Sequence, residues 1–177
     1  MVKSSGILTT ARLRLVPIGP EHANDLLQLH QDPGIARWYG GVWTPDQARQ
    51  SAASMGRAWQ TDGVHKWIAY DQVDGELIGR GGLSYAEVDG ARQLEIGWAT
   101  RERFWGQGYA SEIGRAGLAL AFGELDATEV VAFTETYNTR SRAVMERLGF
   151  RYEHEIRHHG EPFALYSLRH PRIEDQL

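Results

Sequence analysis

The stretch Trp105-Gly106-Gln107-Gly108-Tyr109-Ala110-Ser111 concentrates residue types that could hold an anion. Glycines let the backbone approach a ligand closely, and N–H groups at a helix start point outwards without partners. Together with the helix dipole they make a site suited to a phosphate or pyrophosphate. The same two glycines could also form a tight turn that binds nothing, because so short a pattern recurs by chance. No Gly-Lys-Ser/Thr follows, so the segment is not a P-loop. It lacks the third glycine of a dinucleotide fingerprint. His158-His159 with His154 could suggest a metal, but paired histidines beside a glycine read more simply as turn residues. The chain has no cysteine, and His22, His30, His65 and His170 show no ligand spacing, so no metal is expected.

The elements that must position this segment follow from pattern. Arg12–Pro17 alternates polar and apolar residues and reads as a strand. Pro20 opens a helix, Glu21–Gln31, with Ala23, Leu26, Leu27 and His30 at helical spacing. Thr44 before Pro45 is an N-cap, and a second helix runs from there to about Gln60. Trp67–Asp71 and Glu76–Leu83 are strands around the turn at Asp74-Gly75, and Gln93–Thr100 follows a turn at Asp89-Gly90. The pattern then changes from hairpins to a crossover. The glycine segment opens a helix, Tyr109–Phe122, and a strand follows at Glu129–Thr134. A short helix, Thr139–Leu148, stops at Gly149. Tyr152–Arg157 and Phe163–Leu168 form a closing hairpin around His159-Gly160. The expected sum is a mixed α/β sheet of about six or seven strands, antiparallel first, with a parallel strand–helix–strand unit in its second half. Pro171–Leu177 is charged and is expected to fray.

With 177 residues the chain is expected to be one domain. Hydrophobic residues make up 42% and charged residues 24%, an ordinary globular composition. Nineteen Lys+Arg against 23 Asp+Glu leave a formal charge of −4, which argues against a general nucleic-acid binder. The longest apolar stretch, Ala116–Phe122, is too short to cross a bilayer. The N-terminal MVKSSGILTT lacks a sustained apolar region, so no signal peptide or membrane association is expected, and the default location is cytoplasmic.

Several motifs in register point further. Glu95-Ile96-Gly97-Trp98-Ala99-Thr100 followed by Phe104-Trp105-Gly106-Gln107-Gly108-Tyr109-Ala110 resembles the acetyl-CoA-binding core of the GNAT N-acetyltransferase superfamily. Asn138-Thr139-Arg140-Ser141, then Val144 through Leu148-Gly149-Phe150, is similar to the same family's Asn-x-x-Ser…Leu-Gly-Phe segment. Thr10-Ala11-Arg12-Leu13-Arg14-Leu15 and the hairpin Gly75-Glu76-Leu77-Ile78-Gly79 are similar to the RimJ/RimL-like branch. The likeness spans roughly residues 9–170 of a single domain. It implies a mostly antiparallel sheet flanked by about four helices, with a splayed parallel strand pair at the cofactor site. Trp98, Ala99 and Thr100 would line the pantetheine arm, the N–H groups of Gly106, Gln107, Gly108, Tyr109, Ala110 and Ser111 would hold the pyrophosphate, and Trp105 would open that cofactor-binding loop. A proline common in the family before this loop is Glu102 here.

The same resemblance implies the chemistry, which needs acetyl-CoA as cosubstrate and no metal. An amine must lose a proton, the leaving thiolate must gain one, and the acceptor must be positioned. Many relatives carry a tyrosine acid at the position of Met145, which has no proton to give. Ser141, one helical turn earlier, is the substitute; its alternative is a helix residue bonding backbone. Asn138 would cap that helix and bond the pantetheine amide. Glu95 alternates with Leu94 and Ile96, so it faces away from them, and is the candidate base and acceptor contact. The alternative is an ordinary exposed strand carboxylate, and Glu135 is the reserve. Trp38 and Tyr39 would wall the acceptor site or, alternatively, pack helices onto the sheet. The expected activity is N-acetylation of a protein N-terminus or a small amine, with the oligomeric state left open and a homodimer the one assembly considered. A non-catalytic acyl-CoA sensor is the competing reading.

Overall fold

A reciprocal cap starts the longest helix. Thr44 Oγ1 accepts from Gln47 N at 3.2 Å while Gln47 Oε1 accepts from Thr44 N at 2.8 Å, and Pro45 supplies the preset first turn of α3 (Pro45–Asp62). Gly63, at φ +73°, ends it. The helix expected from Glu21 begins as a 3₁₀ turn, Pro20–His22, because His22 Nδ1 takes the Gly19 N–H at 3.0 Å; α1 then runs Ala23–Gln31. A second short helix, α2 (Pro33–Ala36), was not expected: four residues carry no periodicity, and only its Asp32 cap and Pro33 announce it.

The computed structural model describes residues 6–170. Pro171–Leu177, expected to fray, lie outside the described residues. The strands are β1 (Leu8–Thr9), β2 (Leu13–Pro17), β3 (Lys66–Asp71), β4 (Leu77–Val88), β5 (Ala91–Thr100), β6 (Glu129–Glu135), β7 (Arg151–His158) and β8 (Glu161–Arg169). Helices α4 (Tyr109–Gly123) and α5 (Thr139–Arg147) flank β6 in the chain. The sheet holds eight strands in the order β1-β2-β3-β4-β5-β6-β8-β7, rather than six or seven. The additional strand is the two-residue β1, with Leu8 opposite Leu15, too short to read from pattern. Among the described residues five α-helices stand where about four were expected, α2 being the addition. β4 extends beyond Leu83 because the run Leu77–Ser84, buried on both faces, passes into an alternating end, Tyr85–Val88. β5 and β6 pair in parallel, Glu95 standing opposite Val131. No helix among the described residues is long and apolar enough to cross a membrane.

The backbone groups into two compact units whose boundary cuts both β4 and β5: the chain up to Gly82 with Trp98–Ile113, and Leu83–Gly97 with the chain from Gly114 on. In the first, Ile18, Leu26, Leu29, Ile35, Ala48, Ala52, Ile68 and Leu77 form the core, so α1, α2 and α3 close one face of β2, β3 and β4. In the second, Val88, Val131, Ile156 and Leu165 pack with Ala86, Phe133 and Phe163. There α4 lies close on β5: a Cβ on Gly117 would stand 2.7 Å from Ile96 Cδ1.

Candidate active site

In the first unit, β5 ends at Thr100 and the chain turns through a 3₁₀ segment, Glu102–Phe104, into the glycine loop. Trp105 Nε1 reaches back to Thr100 O at 3.0 Å, closing that turn. Gly106 and Gly108 adopt φ +74° and +83°, the left-handed region that glycine enters without strain. The first bond of α4 runs from Glu112 N to Gly108 O at 3.0 Å, so the N–H groups of Tyr109, Ala110 and Ser111 have no acceptor within the helix. A Cβ on Gly106 would meet nothing within 4 Å, which leaves the loop open to a ligand. Trp98 Nε1 is buried without a hydrogen-bond partner. A ligand oxygen there would satisfy it, and this fits a pantetheine arm along Trp98–Thr100.

Residues far off in sequence fix this loop. Glu112 Oε1 accepts from Thr10 Oγ1 at 2.6 Å and from Arg12 N at 2.8 Å, and its Oε2 accepts from Arg12 Nε at 2.8 Å. Burial pushes the Glu112 carboxyl up, but the hydrogen bonds from Thr10 and Arg12 and the Arg12 charge outweigh it and hold it below the ordinary range. Arg12 also donates to Gln107 O at 2.9 Å and lies 4.1 Å over the Tyr109 ring. On the other side Asp32 Oδ1 accepts from Gly34 N at 3.0 Å and from Glu102 N at 3.1 Å. The second bond explains the missing proline: Glu102 must keep its N–H to hold Asp32. Arg103 pairs with Glu76, and Arg101 Nη1 donates to Leu77 O at 3.2 Å, so both flanking arginines brace the turn.

The expected acceptor wall also lies in this unit. Tyr39 is exposed and Trp38 half-buried. Behind them His30 stacks on Trp43 at 3.4 Å and meets Tyr39 edge-on at 5.1 Å. Trp43 packs against the helical core, while Tyr39 keeps an open side.

In the second unit Leu94 and Ile96 are buried and Glu95 is half-buried between them, as the alternation predicts. Ser84 Oγ donates to Glu95 Oε2 at 3.0 Å. His158 stands within electrostatic reach of Glu95 and Glu135; burial and then His159 lower its pKa, while the two carboxylates raise it, and the balance lies below the ordinary imidazole value. Asn138 Oδ1 accepts from Ser141 N at 3.2 Å and its amide donates to Thr134 Oγ1 at 3.0 Å, which confirms the cap. Ser141 is half-buried and its Oγ makes no hydrogen bond among the described residues. Met145 is 2% exposed and belongs to the core. His154 bonds Asp89 at 2.7 Å instead of joining His158 and His159.

The acetyltransferase (GNAT) domain family model matches residues 12–151. The chain belongs to the GNAT acetyltransferase family. It is an acyltransferase of the GNAT type. A relative from Aspergillus fumigatus, FsC-acetyl coenzyme A-N(2)-transacetylase, is 33% identical over 98% of this chain and 74% of its own length. The Bacillus subtilis protein YkkB is 32% identical over 90% of this chain and 94% of its own. A GNAT-family acetyltransferase structure from Bordetella pertussis superposes with a TM-score of 0.81 at 25% identity, covering 91% of this chain and 98% of that one. Within this GNAT chain, the sequence motifs pick out the loop glycines, Glu95 and Ser141. They do not pick out Glu112, Asp32 or Ser84, whose partners are distant or on a neighbouring strand. Arg12 falls inside a recognised motif, but nothing local says that its guanidinium holds the loop.

Proposed function

We propose that the chain transfers an acetyl group from acetyl-CoA to the primary amine of a small molecule or a protein N-terminus. The observation that carries this reading is the turn at Gly106–Ser111, where two left-handed glycines lead into helix-start N–H groups without an acceptor in the helix, and where a Cβ on Gly106 would meet nothing within 4 Å. The family and the relative whose name specifies acetyl coenzyme A support it. Bound there, acetyl-CoA supplies an electrophilic thioester carbonyl. The N–H groups of Gly106–Ser111 bind its pyrophosphate, and Trp98 orients its arm. Glu95, fixed by Ser84 Oγ, takes the proton that the ammonium must lose before its nitrogen can form the new C–N bond. As the C–N bond forms and the C–S bond breaks, Ser141 Oγ passes its proton to the departing sulfur and regains one from the nitrogen, which loses its second proton as it becomes the amide. Thiol release from acetyl-CoA over a panel of amines tests the reading. Amine-dependent release supports it; acetyl-CoA binding without release from any amine would make the chain a sensor.

A further inference from the structure

Arg80 lies on β4 opposite Ile68 of β3 and is 6% exposed. A buried guanidinium normally meets a carboxylate, because its charge is otherwise stripped of water without compensation. No carboxylate among the described residues pairs with Arg80. Its Nε donates to His30 Nε2 at 3.2 Å, and its guanidinium lies 4.5 Å over the Tyr39 ring. His30 is fully buried and held to a pKa of about 3, by burial first and the Arg80 charge second, so it accepts as a neutral imidazole. Stacking on Trp43 locks its plane. The array thus steadies Arg80 without neutralising it, and its Nη groups make no protein hydrogen bond among the described residues. Neither Nη is enclosed beyond solvent reach, and Tyr39 beside them is 38% exposed.

We infer that Arg80 is the subsite for a carboxylate carried by the acceptor beside its primary amine, which makes the acceptor amino-acid-like. This rests on the transferase reading and on Tyr39 lining the acceptor side. The guanidinium fork matches a carboxylate in two-point contact, while a polycationic amine would meet like charge. A phosphate of the donor offers similar anion chemistry, so the test separates the two.

Thiol release from acetyl-CoA is measured with L-phenylalanine against L-phenylalaninamide, and L-leucine against L-leucinamide, with rates expressed per neutral amine. The wild type should favour each acid over its amide at least tenfold in kcat/KM. Arg80→Met should erase the preference, leave KM for acetyl-CoA within twofold, and hold or raise Tm, because a buried unpaired charge is replaced by an apolar chain. Arg80→Lys should keep part of the preference and covers any failure of the first variant to fold. Equal use of acid and amide, use of amides alone, or use of neither overturns the assignment. A rise in KM for acetyl-CoA with the preference intact overturns it in favour of the donor's phosphate. If amides react and acids do not, the transferase reading stands and only Arg80 falls. If acetyl-CoA neither shifts Tm nor releases thiol with any amine, the transferase reading falls too.

Discussion

Glu112→Gln isolates the clamp that ties the glycine loop to the start of β2. The carboxylate takes Thr10 Oγ1 and Arg12 N on one oxygen and Arg12 Nε on the other, with Arg12 Nη2 at 2.7 Å. Glutamine keeps the size and one carbonyl oxygen. If that oxygen stays with Thr10, the amide turns its own donors towards the guanidinium. Two charge-assisted contacts are lost, each about 1.5–3 kcal/mol when well enclosed. The Arg12 side chain is 41% exposed, so solvent screening reduces them to about 1 kcal/mol each. The expected loss is about 2 kcal/mol, or about 4–8 °C in Tm for a chain of this size. The pH dependence follows from the depressed Glu112 pKa. A lowered folded-state pKa gives stability that is present above the unfolded value, about 4.3, and is lost as pH falls through the folded value. Calorimetry of both proteins from pH 7 down to the lowest pH with cooperative melting should show the gap constant to about pH 5, then closing. A gap below about 1 °C at pH 7, or one that widens in acid, would refute the clamp.

Gly106→Asp should keep the fold, since aspartate tolerates a left-handed backbone and nothing stands within 4 Å of its Cβ, yet it puts a carboxylate on the N–H array. At acetyl-CoA near 100 Kd the ligand should stabilise the wild type by about 2.7 kcal/mol, and this gain should fall by more than half; a full gain in the folded variant removes the anion site. Gly106 is the cleaner position, because a Cβ on Gly108 stands 3.6 Å from Arg12 Nη2, where an acid would find a partner. Glu95→Gln should lower kcat more than tenfold at pH 7 and recover towards pH 9.5, where free amine is abundant; profiles of equal shape exclude Glu95 as the base. Ser141→Ala should lower kcat with KM for acetyl-CoA unchanged, whereas a rise in KM alone would make it a binding residue. Asp32→Ala removes acceptors for Gly34 N and Glu102 N and should cost about 2 kcal/mol, read as a Tm loss with weaker acetyl-CoA binding.

What the sequence makes legible here is what local chemistry decides. The α3 cap, the Gly149 stop at φ +95° and the hairpin turn at His159-Gly160 each need only neighbouring residues, and each is found where pattern places it. The two-residue β1 and the four-residue α2 are too short to carry a period, so their partners alone decide them. The motif residues of the site separate in the same way. Gly106 and Gly108 announce themselves through a backbone conformation that glycine supplies. Arg12 and Glu112 are 100 residues apart, Asp32 and Glu102 are 70 apart, and His30 and Arg80 are 50 apart. Each pair joins ordinary surface residue types that only the folded chain turns into a clamp.

Glu102 shows why a motif departure can be informative. A proline there would preset the 3₁₀ turn by fixing φ, but it would leave Asp32 with one acceptor role, capping Gly34. The present chain instead sets the same turn with a hydrogen bond from Glu102 N to Asp32, and so ties the loop to α2, the helix that leads to Tyr39. A Cβ on Gly34 would stand 2.6 Å from Trp105 Cζ2, so α2 and the loop also meet through side-chain packing. Movement of α2 must therefore be felt at Trp105 and Glu102, the entrance to the proposed pyrophosphate turn. If the acceptor binds at Tyr39 as proposed, its coupling to the proposed donor loop needs no contact between the two ligands, only the Asp32 bond and the Gly34–Trp105 contact between their supports.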